Sequence, residues 1–143
     1  MPMIQLTVPE GVLRPDTRDA LRTTLARTLL HWEGAPDNTL FRSLAWSHIN
    51  EVPAGTFGAL GDDQPRFRID VTVPEGALSE RRIAGLAEQA TRDVAAAAGI
   101  DDLLRIWVLV HEQAEGTWGA AGNIVRFAEL KKLAAASAGQ PDA

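Results

Sequence analysis

The chain repeats itself. IQLTVPEGVL at positions 4–13 returns as IDVTVPEGAL at 69–78, an offset of 65 residues, so that Ile4, the run from Thr7 to Gly11 and Leu13 all recur. A second block follows in the same order. HINEVPAGTFGA starts at His48 and HEQAEGTWGA at His111, with an offset of 63 at the histidine and 61 at the Gly-Thr-aromatic-Gly-Ala string. Two matched blocks in one order, separated by short deletions, mark an internal duplication. Such a repeat constrains the fold more than any single motif, because the second unit must pack as the first does.

Each copy reads as strand, helix, strand. Apolar and polar residues alternate through Met3 to Val8 and through Phe67 to Val73, the signature of half-buried strands. A Pro-Glu-Gly turn follows in both copies. In the first copy Pro15 suits the opening helical position, and Leu21, Leu25 and Leu29 recur at four-residue spacing. In the second, Ser79 suits an N-cap, Ile83, Ala87, Ala90 and Val94 form the apolar stripe, and Gly99 stops the helix. Second strands are expected at Leu44 to Ile49 and Ile106 to His111. The run IWVLV is apolar on both faces, which predicts a strand in the middle of a covered sheet.

A strand, a crossover helix and a strand imply parallel pairing. The expected fold class is therefore α/β (α+β): two tandem β-α-β units forming a four-stranded, mainly parallel sheet with two helices on one face. Residues 1–134 read as one domain of two repeats, 1–64 and 65–134, joined by the polar link LGDDQP, with 135–143 as a flexible tail. The bare sheet face calls for oligomerisation.

Composition narrows the chemistry. The 143 residues carry a formal charge of -5 with both signs interspersed, which argues against nucleic acid, since phosphate binding needs a concentrated basic face. No cysteine is present, so thiolate nucleophiles, thiolate metal sites and disulfides are excluded. The three histidines have no metal-ligand spacing, and no phosphate-cradling glycine motif occurs. No stretch reaches membrane-spanning length and the N-terminus lacks a signal-peptide pattern. A cytoplasmic protein without cofactor, metal, membrane or nucleic-acid partner is expected.

Pro directly after Met1, a short strand, a Glu-Gly turn, a helix, a strand and a Gly-x-aromatic-Gly hairpin together resemble 4-oxalocrotonate tautomerase. The second copy carries the hairpin, from Glu112 through Gly116, Thr117, Trp118 and Gly119 to Gly122, while the first supplies Pro2. Over residues 2 to about 130 the chain resembles a fused, two-unit member of the tautomerase superfamily, similar in architecture to malonate semialdehyde decarboxylase and cis-3-chloroacrylic acid dehalogenase. The resemblance implies a homotrimer that mimics a hexamer of single units. It also implies Pro2 as general base and Trp118 as an aromatic pocket wall. Phe67 stands at the position of Pro2 in the second copy, so the duplication retains one catalytic terminus per chain.

Removal of Met1 leaves Pro2 with a free secondary amine. An α-amino group has a reference pKa of about 7.7 to 8.0. Apolar burial disfavours its charged form, so a neutral base is populated near pH 7. Such an amine can move a proton between carbon and oxygen, or between carbons, activate water, or form an iminium. Two departures from the family pattern redirect the substrate. The arginine of the second strand is replaced by Trp107 in one copy and Trp46 in the other, and the arginine after the Glu-Gly turn falls near Val12 and Ala77. Without those anion holders, a small keto-enol substrate with an aromatic body, such as a phenylpyruvate-like enol, fits better than a dicarboxylate.

Arg14 and Arg126 are candidate replacement cations, whereas Arg42, Arg68 and Arg105 read as solvated surface residues. His48 and His111 end the second strands of both copies. Each can serve as a structural hydrogen-bonder or donate to an enolate oxygen. The expected site is thus Pro2 with Trp118, Trp107, Trp46, His48, His111, Arg14 and Arg126. Two other readings are a Pro2-dependent hydratase, dehalogenase or decarboxylase of a small acid, and a non-catalytic binding trimer on the same scaffold.

Overall fold

Alternation in the strands sorts side chains between two faces, and the computed structural model, which describes residues 2–137, places them so. Strands β1 (Met3–Pro9), β2 (Trp46–Val52), β3 (Phe67–Pro74) and β4 (Ile106–Gln113) form one sheet in the order β2-β1-β3-β4. Each copy contributes a parallel pair, β1 with β2 and β3 with β4. The copies meet antiparallel across β1 and β3, with Leu6 opposite Ile69 and Thr7 opposite Arg68. The two units therefore run in opposite directions. Pro2 and Phe67, which precede or begin the central strands, lie at opposite ends of the sheet.

Helices α1 (Pro15–Glu33) and α3 (Glu80–Ala98) cover one face. Pro15 opens α1, and Gly34 closes it at φ 69°, where a side chain would be strained. The Ser79 hydroxyl caps α3 by accepting from the Arg82 N–H at 3.2 Å, and Gly99 ends it at φ 66°. Leu21, Leu25 and Leu29 of α1 and Leu86, Ala90 and Val94 of α3 are buried in one cluster with Ile4, Leu6 and Val8 of β1 and Phe67, Ile69, Val71 and Val73 of β3. Burying each large apolar side chain contributes roughly 1.5–3 kcal/mol, and this single layer is the core. In α3 the stripe is centred on Leu86, and the expected Ile83 and Ala87 flank it half-buried.

The two helices interlock through polar contacts as well. Thr28 Oγ1 donates to Asp93 Oδ2 at 2.6 Å and Trp32 Nε1 donates to Gln89 Oε1 at 2.7 Å. The Trp32 ring lies so close to the backbone of Gly85 that a Cβ there would overlap it.

The turns repeat as faithfully as the strands. Gly11 and Gly76 adopt φ 82° and 80°, and the preceding glutamates do the same job twice. Glu10 N–H donates to Val52 O and its Oε1 accepts from Ala54 N–H at 3.2 Å; Glu75 N–H donates to Gln113 O and its Oε2 accepts from Glu115 N–H at 3.2 Å. Each glutamate ties the exit of one strand to the hairpin after the next.

Three features differ from expectation. Leu44, read as the start of a strand, instead ends a short helix α2 (Thr39–Leu44), whose N-cap Asn38 accepts from Phe41 N–H. Strand β4 is an edge strand, not a central one, and Trp107 on its uncovered face is 68% exposed. Beyond the two-residue strands β5 (Gly119–Ala120) and β6 (Asn123–Ile124), helix α4 (Phe127–Ser137) enters the segment 135–143 expected to be a tail. It packs with Leu30, Phe41 and Ala45 through Ala134. Residues 138–143 lie outside the described residues. Among the described residues no helix is long and apolar enough to cross a membrane.

Candidate active site

The face of the sheet away from the helices is built from rows of cross-strand neighbours. Trp46, Met3, Thr72 and His111 form one row, His48, Gln5, Asp70 and Leu109 the next, and Asn50, Thr7, Arg68 and Trp107 the third. At the end where β1 begins, this face turns into a cavity of about 530 Å³. Pro2 is buried at its edge. The walls are Met3, Leu44, Trp46, Thr72 and Gln113, closed by Thr117, Trp118 and Gly119 of the hairpin.

Local structure explains how the wall is held. Thr117 N–H donates to Ala114 O at 3.1 Å, closing a turn around Gly116 at φ 80°, and Gln113 Nε2 donates to Thr117 Oγ1 at 2.7 Å. Arg126 lies over Gly116, so a Cβ at that glycine would meet its guanidinium. Phe127 N–H donates to Glu115 Oε2 at 3.3 Å, which fastens the start of α4 to the same hairpin. Trp118 thus stands on a braced loop facing the end of β1. Leu44 arrives from the other side, at the end of α2.

No charged side chain lines this cavity among the described residues. Two side-chain donors are available within it among the described residues. The Thr72 hydroxyl and the Trp118 indole N–H bond to no other group among the described residues. The Trp46 indole N–H is already committed, donating to Ser43 O at 3.1 Å. Trp46 therefore contributes a flat apolar surface and little polarity. An apolar lining of this kind penalises a charged amine at its edge and favours the neutral form.

The remaining expected residues fall elsewhere. Trp107 lines a different cavity at the opposite end of the sheet. His48 lies in a groove with Gln5, Arg22 and Arg42. His111 Nε2 is 2.7 Å from Asp70 Oδ1, and Arg68 holds the other oxygen of the same carboxylate at 2.9 Å, so both residues sit in an ion-pair cluster on the open face. Arg14 pairs with Asp16 on the surface. Arg126 braces the hairpin from behind, 3.8 Å from Glu115, and does not line the cavity.

Sequence reading missed Met3, Leu44, Thr72 and Gln113. Thr72 could be found only once β1 and β3 are known to pair antiparallel, with Met3 opposite Thr72. Gln113 carried a fainter signal, since its counterpart in the first copy at the offset of 61 is the apolar Val52.

A second titratable group lies just behind this end of the sheet. Glu33, at the end of α1, lines a neighbouring cavity of about 370 Å³ with Phe41, Arg82 and Phe127. Its carboxyl is pushed up to about 7 by desolvation. Arg82 Nη1 donates to the Glu33 backbone carbonyl at 2.9 Å and does not neutralise the side chain. Among the described residues no group of three or more acidic or histidine side chains is placed to hold a metal ion.

No protein-family model and no curated protein sequence matches this chain. Solved structures do match in fold. The protein N1, a member of the cis-3-chloroacrylic acid dehalogenase family, superposes with a TM-score of 0.76 at 21% identity, covering 97% of this chain and 92% of N1. Pt0534 inactivated by 2-oxo-3-pentynoate gives 0.74 at 20% identity over 85% and 94% of the two chains. A fused 4-OT crystallised as an asymmetric trimer gives 0.73 at 18% identity over 85% and 94%. The duplicated four-stranded sheet with its helices on one face is thus a fold that this chain shares with the fused 4-OT proteins and with N1.

Proposed function

We propose that this chain is a cofactor-independent tautomerase whose general base is the imino nitrogen of Pro2. The observation that carries the reading is the placement of Pro2, buried at the edge of a 530 Å³ cavity walled by Trp46, Trp118, Met3 and Leu44. A small keto-enol substrate with an aromatic body matches that volume and lining. The neutral amine takes a proton from the enol oxygen or the α-carbon and returns it at the other position. Charge that develops on the substrate oxygen needs a donor, and the Thr72 hydroxyl and Trp118 indole N–H are the groups available to this chain.

Hydration or dehalogenation of a small acid also needs a carboxylate side chain to activate water, and none lines this cavity among the described residues. A homotrimer accompanies the proposal. The sheet face opposite the helices carries Trp46 at 66% exposure and Trp107 at 68%, and the fused 4-OT proteins of the same fold form trimers.

The test is ketonisation of enol-phenylpyruvate, followed by absorbance, on protein whose N-terminus has been read by intact mass. Pro2→Ala is expected to lower kcat/KM by about 10²–10⁴-fold, the usual contribution of a positioned general base. Equal rates for the two proteins contradict the mechanism.

A further inference from the structure

The duplication has produced a second cavity, related to the first by the internal repeat. It measures about 620 Å³ and lies at the opposite end of the sheet, where β3 begins. Its parts are the counterparts of the first. Phe67 stands for Pro2, Trp107 for Trp46, and Phe57, Gly58 and Ala59 for Trp118, Gly119 and Ala120. The same turn is closed here, since Thr56 N–H donates to Pro53 O at 3.1 Å, with Gly55 at φ 82°.

Two changes alter what this cavity can do. Phe67 carries no amine, so the base is lost. Arg105 stands where the first cavity has Leu44, so a cation is gained. Of the arginines at this cavity, Arg66 is held by both oxygens of Asp62 and Arg68 is held by Asp70. Arg105 is different. Its Nε donates to Pro65 O at 2.9 Å, which fixes the side chain, and no carboxylate among the described residues pairs with its Nη groups. Arg105 is half-buried and lines the cavity together with Phe67, Leu104, Trp107 and Leu109.

We infer that this second cavity is a non-catalytic binding site for a small planar apolar monocarboxylate, its carboxylate on the Nη groups of Arg105 and its body against Trp107 and Phe67. A planar fork of donors matches a carboxylate with two parallel hydrogen bonds, and apolar walls strengthen such a pair by excluding water. The volume is that of a small-molecule site. Nothing in this inference depends on Pro2 acting as a base.

Phenylacetate is the probe, with benzyl alcohol as its uncharged counterpart. The chain has four tryptophans, so the four indole N–H resonances of ¹⁵N-labelled full-length protein can be assigned by single Trp→Phe substitutions. Phenylacetate is expected to shift the Trp107 resonance along a saturable curve, whereas benzyl alcohol binds there at least about tenfold more weakly, as loss of a hydrogen bond to a charged group predicts. Arg105→Gln is expected to weaken the Trp107 curve by a similar factor, and Arg105→Lys, which keeps the charge without the planar fork, to weaken it less. Trp46 and Trp118 report separately on the Pro2 cavity, so failure there leaves the Trp107 result intact. A Trp107 resonance unmoved by phenylacetate, or moved equally by benzyl alcohol, overturns the inference. Because that comparison needs only the wild-type chain, it decides the matter even if an Arg105 variant fails to fold.

Discussion

Pro2 draws its proposed chemistry from position more than from identity. A proline at the start of an edge strand is unremarkable; one buried at the edge of a cavity lined by tryptophan and leucine, and by no charged side chain among the described residues, holds its amine in surroundings that disfavour ionisation. The family resemblance pointed to Pro2, Trp46 and Trp118; residue type alone did not. It could not indicate Thr72, which joins them through a strand pairing between the two copies. Nor could it separate Trp107 from Trp46. The two are equivalent in the repeat but face cavities at opposite ends of the sheet.

Glu33 gives a prediction at the same scale. Its folded-state value is raised to about 7 from an ordinary 4.5, so the folded chain holds a proton there that the unfolded chain releases. The stability this group contributes is complete below about pH 4.5 and is lost as pH rises through about 7. Desolvation raises Asp93 too, in the same direction. Urea midpoints measured from pH 4.5 to 8 should therefore fall more steeply for wild type than for Glu33→Gln. Parallel curves would show that Glu33 ionises normally.

At the scale of elements, strands and long helices were legible because their patterns answer to one buried face. Leu21, Leu25 and Leu29 land in the core, and Ser79 and Gly99 bound α3 as their chemistry requires. Elements α2 and α4 were not. Both are short, bury few residues and depend on each other's packing around Phe41 and Ala134, so neither has a periodic signature of its own. The edge position of β4 was hidden for a related reason. An apolar run on both faces reads the same whether its second face is covered by the same chain or left open.

Glutamates Glu10 and Glu75, repeated in the turns, are structural ties from strand exit to hairpin. The packing of α1 on α3 carries its own prediction. In an exposed helix, Gly→Ala stabilises by about 1 kcal/mol. At Gly85 the new Cβ would overlap the Trp32 ring, itself fixed through Gln89, so the sign reverses. Gly85→Ala should destabilise by about 1–3 kcal/mol in chemical denaturation. A stabilised variant would mean that Trp32 repacks freely.

For the molecule as a whole, one sheet carries helices on one face and exposed tryptophans on the other. Two cavities sit at its opposite ends, one with Pro2 and one with Phe67 and Arg105. The duplication predicted two β-α-β units in one sheet from sequence, whereas the antiparallel meeting of the copies, which sets the cavities at opposite ends, was visible only in the structure. An uncovered face with two large aromatics predicts self-association. Light scattering coupled to size exclusion should return about 46 kDa, three times the 15.4 kDa chain. A wild-type monomer at micromolar concentration would contradict the proposed trimer.

The charge state of a single nitrogen is what the catalytic proposal depends on. Protein labelled with ¹⁵N-proline, with Met1 shown by mass to be absent, can be titrated by NMR while the Pro2 resonance is followed. A midpoint below the 7.7 to 8.0 of an ordinary α-amino group is the expected result. A midpoint at or above that range would contradict a neutral base at pH 7.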